Sequence, residues 1–438
     1  MQNDKTTLKD LSIFTSEAGG GVFGLLDHTT THAGRDVLRR HVASPPDTYE
    51  ALQELQDTVR FWTNHGHLWP TEISNGTLLM LEKFFESADS ATAPRGLALN
   101  IGAFLQKIFN RNQYFFTEFS LTHLGDFLRG CEKLAGITGE PGVPALLKRE
   151  LEAMQEELAH RLTPDLLKIN KKTPYADQTR LSFRARREMK NTVYRLMHHY
   201  ARLDAWQSMA RATILHGWTF PVLQPSYPVT FKGTQLYHPL LPSPVAYDIA
   251  FSKEKNFLLL TGANMSGKTT FMRSIGVTAL LAHLGMGVPA QTLEISFLQC
   301  LITNMHIEDD ILKGESYFFA EVQRMKMTAE RLLQRGPNLV LMDELFKGTN
   351  VHDACECTSA VMEGLLHRSG HLMILSTHLY EVAQQFADRR EIQFAHFITE
   401  MAGDTFRFTY HLREGISNDR IGYKILQKEG VIELLKAG

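Results

Sequence analysis

The chain divides by the period of its apolar positions. From about residue 25 to residue 220, apolar residues recur every three or four positions with charges between them. That is the mark of amphipathic helices. Leu52, Leu55 and Val59 keep this spacing, as do Leu151, Met154 and Leu158, and the run from Arg195 to Trp206. A helix entered from Leu25 to Arg40 is stopped by Pro45-Pro46. Past Phe220-Pro221-Val222-Leu223-Gln224-Pro225, a hinge by composition, the pattern changes to short unbroken apolar runs: Phe257 to Leu260, Leu339 to Met342 and Leu372 to Leu375. Runs of that length read as buried parallel strands. The expected fold class is α + α/β, with a helical domain over 22–225 and an α/β domain over 226–438. Residues 1–21, ending in Ala18-Gly19-Gly20-Gly21, read as a flexible tail.

The ends of the apolar runs carry the chemistry. Thr261-Gly262-Ala263-Asn264-Met265-Ser266-Gly267-Lys268-Thr269-Thr270 fits G-x-x-x-x-G-K-[ST], and it stands between a strand and a helical segment from Phe271 onward. Glycines let such a loop close around phosphate oxygens while its N–H groups point inward at a helix N-terminus. Gly262, Asn264, Met265, Ser266, Gly267, Lys268, Thr269 and Thr270 are therefore the candidate nucleotide contacts. Lys268 would bridge the β- and γ-phosphates and the Thr269 hydroxyl would sit on Mg²⁺. The second run ends in Asp343-Glu344. Asp343 would hold Mg²⁺ and Glu344 would polarise the attacking water. The third run is followed by Ser376-Thr377-His378, which places a histidine where it can contact the γ-phosphate or that water.

These segments resemble the ATPase domain of the MutS family, part of the ABC-type ATPase class. The loop is similar to the family's T-G-P-N-M-G-G-K-S-T, departing at Ala263 and Ser266. Leu281 to Ala290 resembles L-A-x-x-G-x-x-V-P-A. Asp309 to Glu321 resembles D-D-L-x-x-G-x-S-T-F-M-x-E, and Asp343 to Asp353 resembles D-E-x-G-R-G-T-x-x-x-D. Val245-Ala246-Tyr247-Asp248-Ile249 stands where the family has V-P-N-D-I; Tyr247 could stack on the base or fill the core. In the helical half, Thr29 to Gly34 resembles the T-x-T-x-x-G that opens the family's lever domain. Leu203-Asp204-Ala205-Trp206-Gln207-Ser208-Met209-Ala210 resembles the L-D-x-x-x-S-x-A that ends it.

The resemblance implies a lever domain followed by a P-loop ATPase domain, with ATP and Mg²⁺ as cofactors. It implies a homodimer on ATP binding, because Ser316 resembles the signature serine that reaches the neighbour's γ-phosphate. Glu344, His378, Lys268 and Ser316 are thus the expected catalytic set. DNA is the expected partner, recognised by structure rather than by mismatch. The lever begins near residue 22 and leaves no room for the family's mismatch-recognition domain. Phe84-Phe85-Glu86 and Phe116-Thr117-Glu118 match its F-x-E wedge only as tripeptides inside the lever region.

Composition adds bounds. Hydrophobic residues make up 43% of the 438 and charged residues 21%, ordinary for a globular protein. A formal charge of −2 gives no global attraction to nucleic acid, so DNA contact needs a local patch. Lys172, Arg180, Arg184 and Arg187 are the candidates, the three arginines falling on one helical face. A solvated helix face is the plainer reading of the same run. Four scattered cysteines do not make a disulfide framework. With a polar start and no run long enough to span a bilayer, the expectation is a cytoplasmic protein without a membrane partner. The target stays open between a DNA structure, another large ligand such as a recombination intermediate or a ribosome, and a protein held by a scaffold.

Overall fold

A computed structural model of the chain describes residues 1–15, 20–87, 111–170, 173–305, 317–402, 405–417 and 431–436. The first stretch is helical: α1 (Lys5–Asp10), α2 (Val22–Leu26), α3 (His32–Ala43), α4 (Tyr49–His65), α5 (Asn75–Glu86), α6 (Arg111–Gly136), α7 (Ala145–Leu158), α8 (Thr163–Leu167), α9 (Tyr175–Glu188) and α10 (Lys190–Leu215). Strands and helices then alternate: β1 (Val222–Gln224), β2 (Phe231–Leu236), β3 (Tyr247–Phe251), β4 (Phe257–Thr261), α11 (Lys268–His283), β5 (Thr292–Ser296), β6 (Cys300–Asn304), α12 (Tyr317–Leu332), β7 (Asn338–Asp343), α13 (Val351–Leu366), β8 (Leu372–Ser376), α14 (Tyr380–Gln385), β9 (Ile392–Ala402), β10 (Thr405–Glu414) and α15 (Val431–Lys436). The fold is thus mixed helix and sheet. No helix among the described residues is long and apolar enough to cross a membrane.

Two compact units are formed. One comprises Leu26–Arg40 and Glu54–Ile214 and is helical; the other comprises Met1–Leu25, His41–Gln53 and Leu215–Gly438. In the helical unit, every residue of α10 from Leu203 to Ala210 is buried, so that helix is enclosed by its neighbours. Trp62 packs on Trp69 at 5.5 Å between ring centroids, Trp69 on Tyr200 at 5.4 Å and Phe127 on Tyr200 at 6.3 Å. Polar residues of α10 tie down residues 26–31. The Asp204 carboxylate accepts the Thr30 N–H (2.8 Å), the Thr31 N–H (2.9 Å) and the Thr31 hydroxyl (2.8 Å). Ser208 accepts the His28 N–H and donates to the Leu26 carbonyl. The Thr31 hydroxyl in turn accepts the Gly34 N–H, capping the start of α3.

The other unit is built on a six-stranded sheet in the order β10-β9-β4-β8-β7-β6, parallel except for β10. A four-stranded sheet, β1-β5-β2-β3, lies apart from it. Helix α11 packs against β7, β6 and β8 of the large sheet and against β2 of the small one. Burial on both sides explains why β4, β7 and β8 read as unbroken apolar runs; each is buried along its whole length.

The expected flexible tail is corrected over residues 1–15. Helix α1 lies on edge strand β6, and Gln2 forms a parallel bridge with Cys300. Leu11 and Ile13 are fully buried. Asp10 accepts the Thr303 hydroxyl (2.6 Å) and the Met305 N–H (3.1 Å). Leu11 fits against Gly276 of α11 so closely that a methyl there would come within 2.7 Å of its side chain. Covering β6 shields polar groups that an open sheet edge leaves unpaired.

Candidate functional site

Strands β4, β8 and β7 are neighbours in a parallel sheet, so their carboxyl ends open on the same side. In open α/β sheets that rim is where ligands bind. Residues 262–267 leave β4 there and feed α11. Gly262 and Gly267 adopt φ +129° and +109°, conformations that side chains disfavour. Gly267 also sits under Tyr410, where an added Cβ would lie 3.2 Å from the ring. Lys268 is buried, and its ammonium donates to the Gly262 carbonyl (2.8 Å) and the Ala263 carbonyl (2.9 Å). Burial lowers its pKa, against the pull of Glu344 and Asp343. The Ser266 hydroxyl in the same loop is buried without a hydrogen-bond partner.

The end of β7 meets this loop. The Thr269 hydroxyl donates to Asp343 Oδ2 at 2.6 Å, and the Ser376 hydroxyl at the end of β8 bonds the other carboxylate oxygen. Glu344 faces three cationic or titratable groups: Lys347 Nζ at 3.1 Å, His378 Nδ1 at 3.6 Å and Lys268 Nζ at 3.9 Å. His378, then Lys347, hold its carboxyl down to about 2 in spite of burial. At 3.6 Å the His378 ring lies beyond hydrogen-bonding distance of the carboxylate. Glu344 has φ +54° and Phe346 φ +61°. Non-glycine residues in that region cost about 1–3 kcal/mol each and persist where the surroundings over-determine them. Here the Glu344 N–H is tied to the Ser376 carbonyl and the Phe346 ring is buried in the core.

Asn264, Met265, Gly267, Lys268, Thr269, Thr270, Asp343, Glu344 and Lys347 surround one cavity of ≈ 490 Å³. A second cavity of ≈ 290 Å³ adjoins it across Gly267 and Thr270, walled by His238, Val245, Tyr247 and Ser274 among others. The Tyr247 ring meets Phe271 at 5.1 Å and Phe397 at 6.0 Å, both edge-on, so it fills the core while lining this cavity. Burial and Arg273 lower His238 to about 4, leaving it neutral at pH 7. Tyr410 belongs to both cavities, and sequence reasoning missed it. It sits at φ +57° where the β10–β9 register slips between Phe408 and Leu412, and the bulge turns its ring toward the loop. Nothing in the local sequence marks that slip.

Ser316 and Lys172 lie outside the described residues. Arg180, Arg184 and Arg187 stand on α9. Arg180 pairs with Asp177 (3.0 Å) and Arg184 with Glu188 (3.5 Å), while the Arg187 guanidinium lies 5.3 Å from the Phe183 ring centre. The exposed pairs are weak.

Residues 258–435 match the family model for MutS domain V. The chain is similar to the DNA mismatch repair protein MutS of Thermotoga sp. (strain RQ2), 28% identical over 250 residues, which are 55% of this chain and 30% of that protein. It is similar as well to the DNA mismatch repair protein MutS of Persephonella marina, 28% identical over 235 residues, 53% of this chain and 27% of the relative. The alignments thus span under a third of those relatives' own length. Residues 258–435 are thus similar to domain V of the MutS family.

Proposed function

We propose that the rim of the large sheet binds ATP with Mg²⁺ and hydrolyses it, and that the chain works as an ATP-gated dimer acting on DNA. One juxtaposition carries this reading: the Thr269 hydroxyl lies on the Asp343 carboxylate, with Glu344 beside Lys268 on the wall of the same cavity. A hydroxyl and a carboxylate are hard oxygen donors that suit Mg²⁺. Thr269 and Asp343 would hold that ion, which when bound spreads the charge on the phosphate oxygens. Lys268 exchanges the two loop carbonyls for phosphate oxygens, and the loop N–H groups take the remainder. Glu344, ionised, orients and polarises the attacking water, with His378 in reach of the same space. The base enters the adjoining cavity, where Tyr410 offers a ring face and Tyr247 a hydroxyl. Ser316 serves the opposite subunit.

The test is Lys268→Ala. Removing the buried ammonium is expected to weaken ATP binding at least tenfold in an equilibrium titration, about 1.4 kcal/mol. Unchanged affinity would overturn the site.

The DNA partner is extended from relatives named as mismatch repair proteins. Arg180, Arg184 and Arg187 are its proposed contact on α9. Replacing all three by alanine should lower the slope of log affinity against log salt by about 1 for each phosphate that is no longer neutralised. An unaltered slope would remove α9 from the DNA interface.

A further inference from the structure

Helix α12 carries a buried acid that none of the catalytic assignments uses. Glu321 is 6% exposed and has no ion pair among the described residues. Its two oxygens accept one N–H each, from Lys347 at 3.1 Å and from Gly348 at 3.1 Å. A carboxylate in such a place is costly unless its charge is answered, and here two backbone donors answer it. Those donors belong to the turn that leaves β7 with Glu344. The turn contains both left-handed residues, Glu344 and Phe346.

The same helix grips the turn by packing. The Phe318 and Phe346 ring centroids are 5.9 Å apart. Gly348 runs so close beneath α12 that an added Cβ would lie 2.7 Å from the Phe318 backbone nitrogen. One helical turn further on, Arg324 roots α12 on the sheet by donating to the Thr303 carbonyl at 2.7 Å. Glu321 therefore acts from a fixed base. Lys347, whose N–H it holds, sends its own ammonium back to the Glu344 carboxylate at 3.1 Å.

We propose that Glu321 is a positioning residue for hydrolysis: by clamping the Lys347 and Gly348 N–H groups it holds the strained turn that aims Glu344 and Lys347 into the cavity. Glu321 itself lines no part of the cavity and reaches its wall only through the Lys347 backbone N–H, so its loss acts on turnover and leaves nucleotide binding alone. The proposal rests on Glu344 being the hydrolytic carboxylate. Without the clamp the turn can relax toward ordinary backbone angles, which rotates Glu344 away from the water it aligns; small misplacements of that kind are expensive in rate.

The experiment compares Glu321→Ala, Glu321→Gln and Glu344→Gln with the parent chain, measuring kcat, KM, ATP affinity at equilibrium and the melting temperature. Glu321→Ala is expected to lower kcat at least tenfold with ATP affinity within twofold of the parent. Glu321→Gln, nearly isosteric and with one acceptor oxygen left, should fold normally and fall between the two. A parental kcat in Glu321→Ala beside an inactive Glu344→Gln overturns this proposal alone. Loss of ATP affinity in step with kcat in Glu321→Gln also overturns it, since Glu321 then merely supports the fold. Undiminished hydrolysis by Glu344→Gln overturns the underlying assignment of the catalytic carboxylate instead.

Discussion

Glu344→Gln is expected to bind ATP at least as tightly as the parent chain and to lose hydrolysis by about a hundredfold or more, the range of a missing general base. The amide keeps the shape of the side chain but cannot polarise water as a carboxylate does. Binding is expected to tighten because Glu344 now neutralises Lys347 and Lys268 around the cavity. Removing its charge leaves those groups to face the phosphates. The sign of the pH dependence follows from the same contacts. Glu344 is held down to about 2 from an ordinary 4.5. Its ion pairing therefore stabilises the fold fully above 4.5 and is lost as pH falls through about 2. The turnover assay decides the role. Hydrolysis by the variant above a tenth of the parental rate, a barrier change under ~1.4 kcal/mol, would mean that another group activates the water.

What could be read in the residues and what could not follow a physical division. That the glycine-rich loop, Asp343, Glu344 and His378 gather at one rim was legible because each sits at the end of an apolar run, and parallel strands place those ends together. Their mutual distances were not legible. Tyr410 escaped because its place in both cavities depends on a register slip in β10, set by pairing with β9 rather than by local composition. Glu321 closes one of the family patterns, but its contact escaped for a similar reason: its partners Lys347 and Gly348 lie 26 and 27 residues on. The N-terminal tail was misread because glycines near residue 20 do signal flexibility, whereas the worth of Leu11 and Asp10 comes from β6 and α11, nearly three hundred residues away in sequence for Asp10 and Thr303. Tyr247 admitted two readings, base contact and core filling, and its ring serves the second while facing the cavity of the first.

Asp204→Ala is expected to unfold the helical unit under conditions where the parent stays folded. The two short patterns at the ends of the helical half, Thr29 to Gly34 and Leu203 to Ala210, meet at this residue. Its carboxylate is fully buried and takes the Thr30 and Thr31 N–H groups and the Thr31 hydroxyl. Burial raises its pKa, and those same hydrogen bonds pull it back toward the charged form. Alanine strips the acceptor and leaves the donors buried, at about 1–3 kcal/mol for each one unsatisfied. It also frees the N-cap of α3, because Thr31 orients its hydroxyl between Asp204 and the Gly34 N–H. A total of about 3–5 kcal/mol is expected, comparable to breaking a buried charged network. Gly34 explains why the cap has no slack, since a Cβ there would come 2.2 Å from the Asp204 carboxylate. Tryptophan fluorescence reports on the right unit: of the four tryptophans, Trp62, Trp69 and Trp206 lie in it and Trp218 does not. The measurement is the urea midpoint of that signal for Asp204→Ala and for Asp204→Asn, which keeps one acceptor oxygen and should lose less. An unfolding free energy for Asp204→Ala, the midpoint times the urea slope, within about 0.5 kcal/mol of the parent, the range of an unremarkable surface change, would show that residues 26–31 are anchored by something other than this carboxylate.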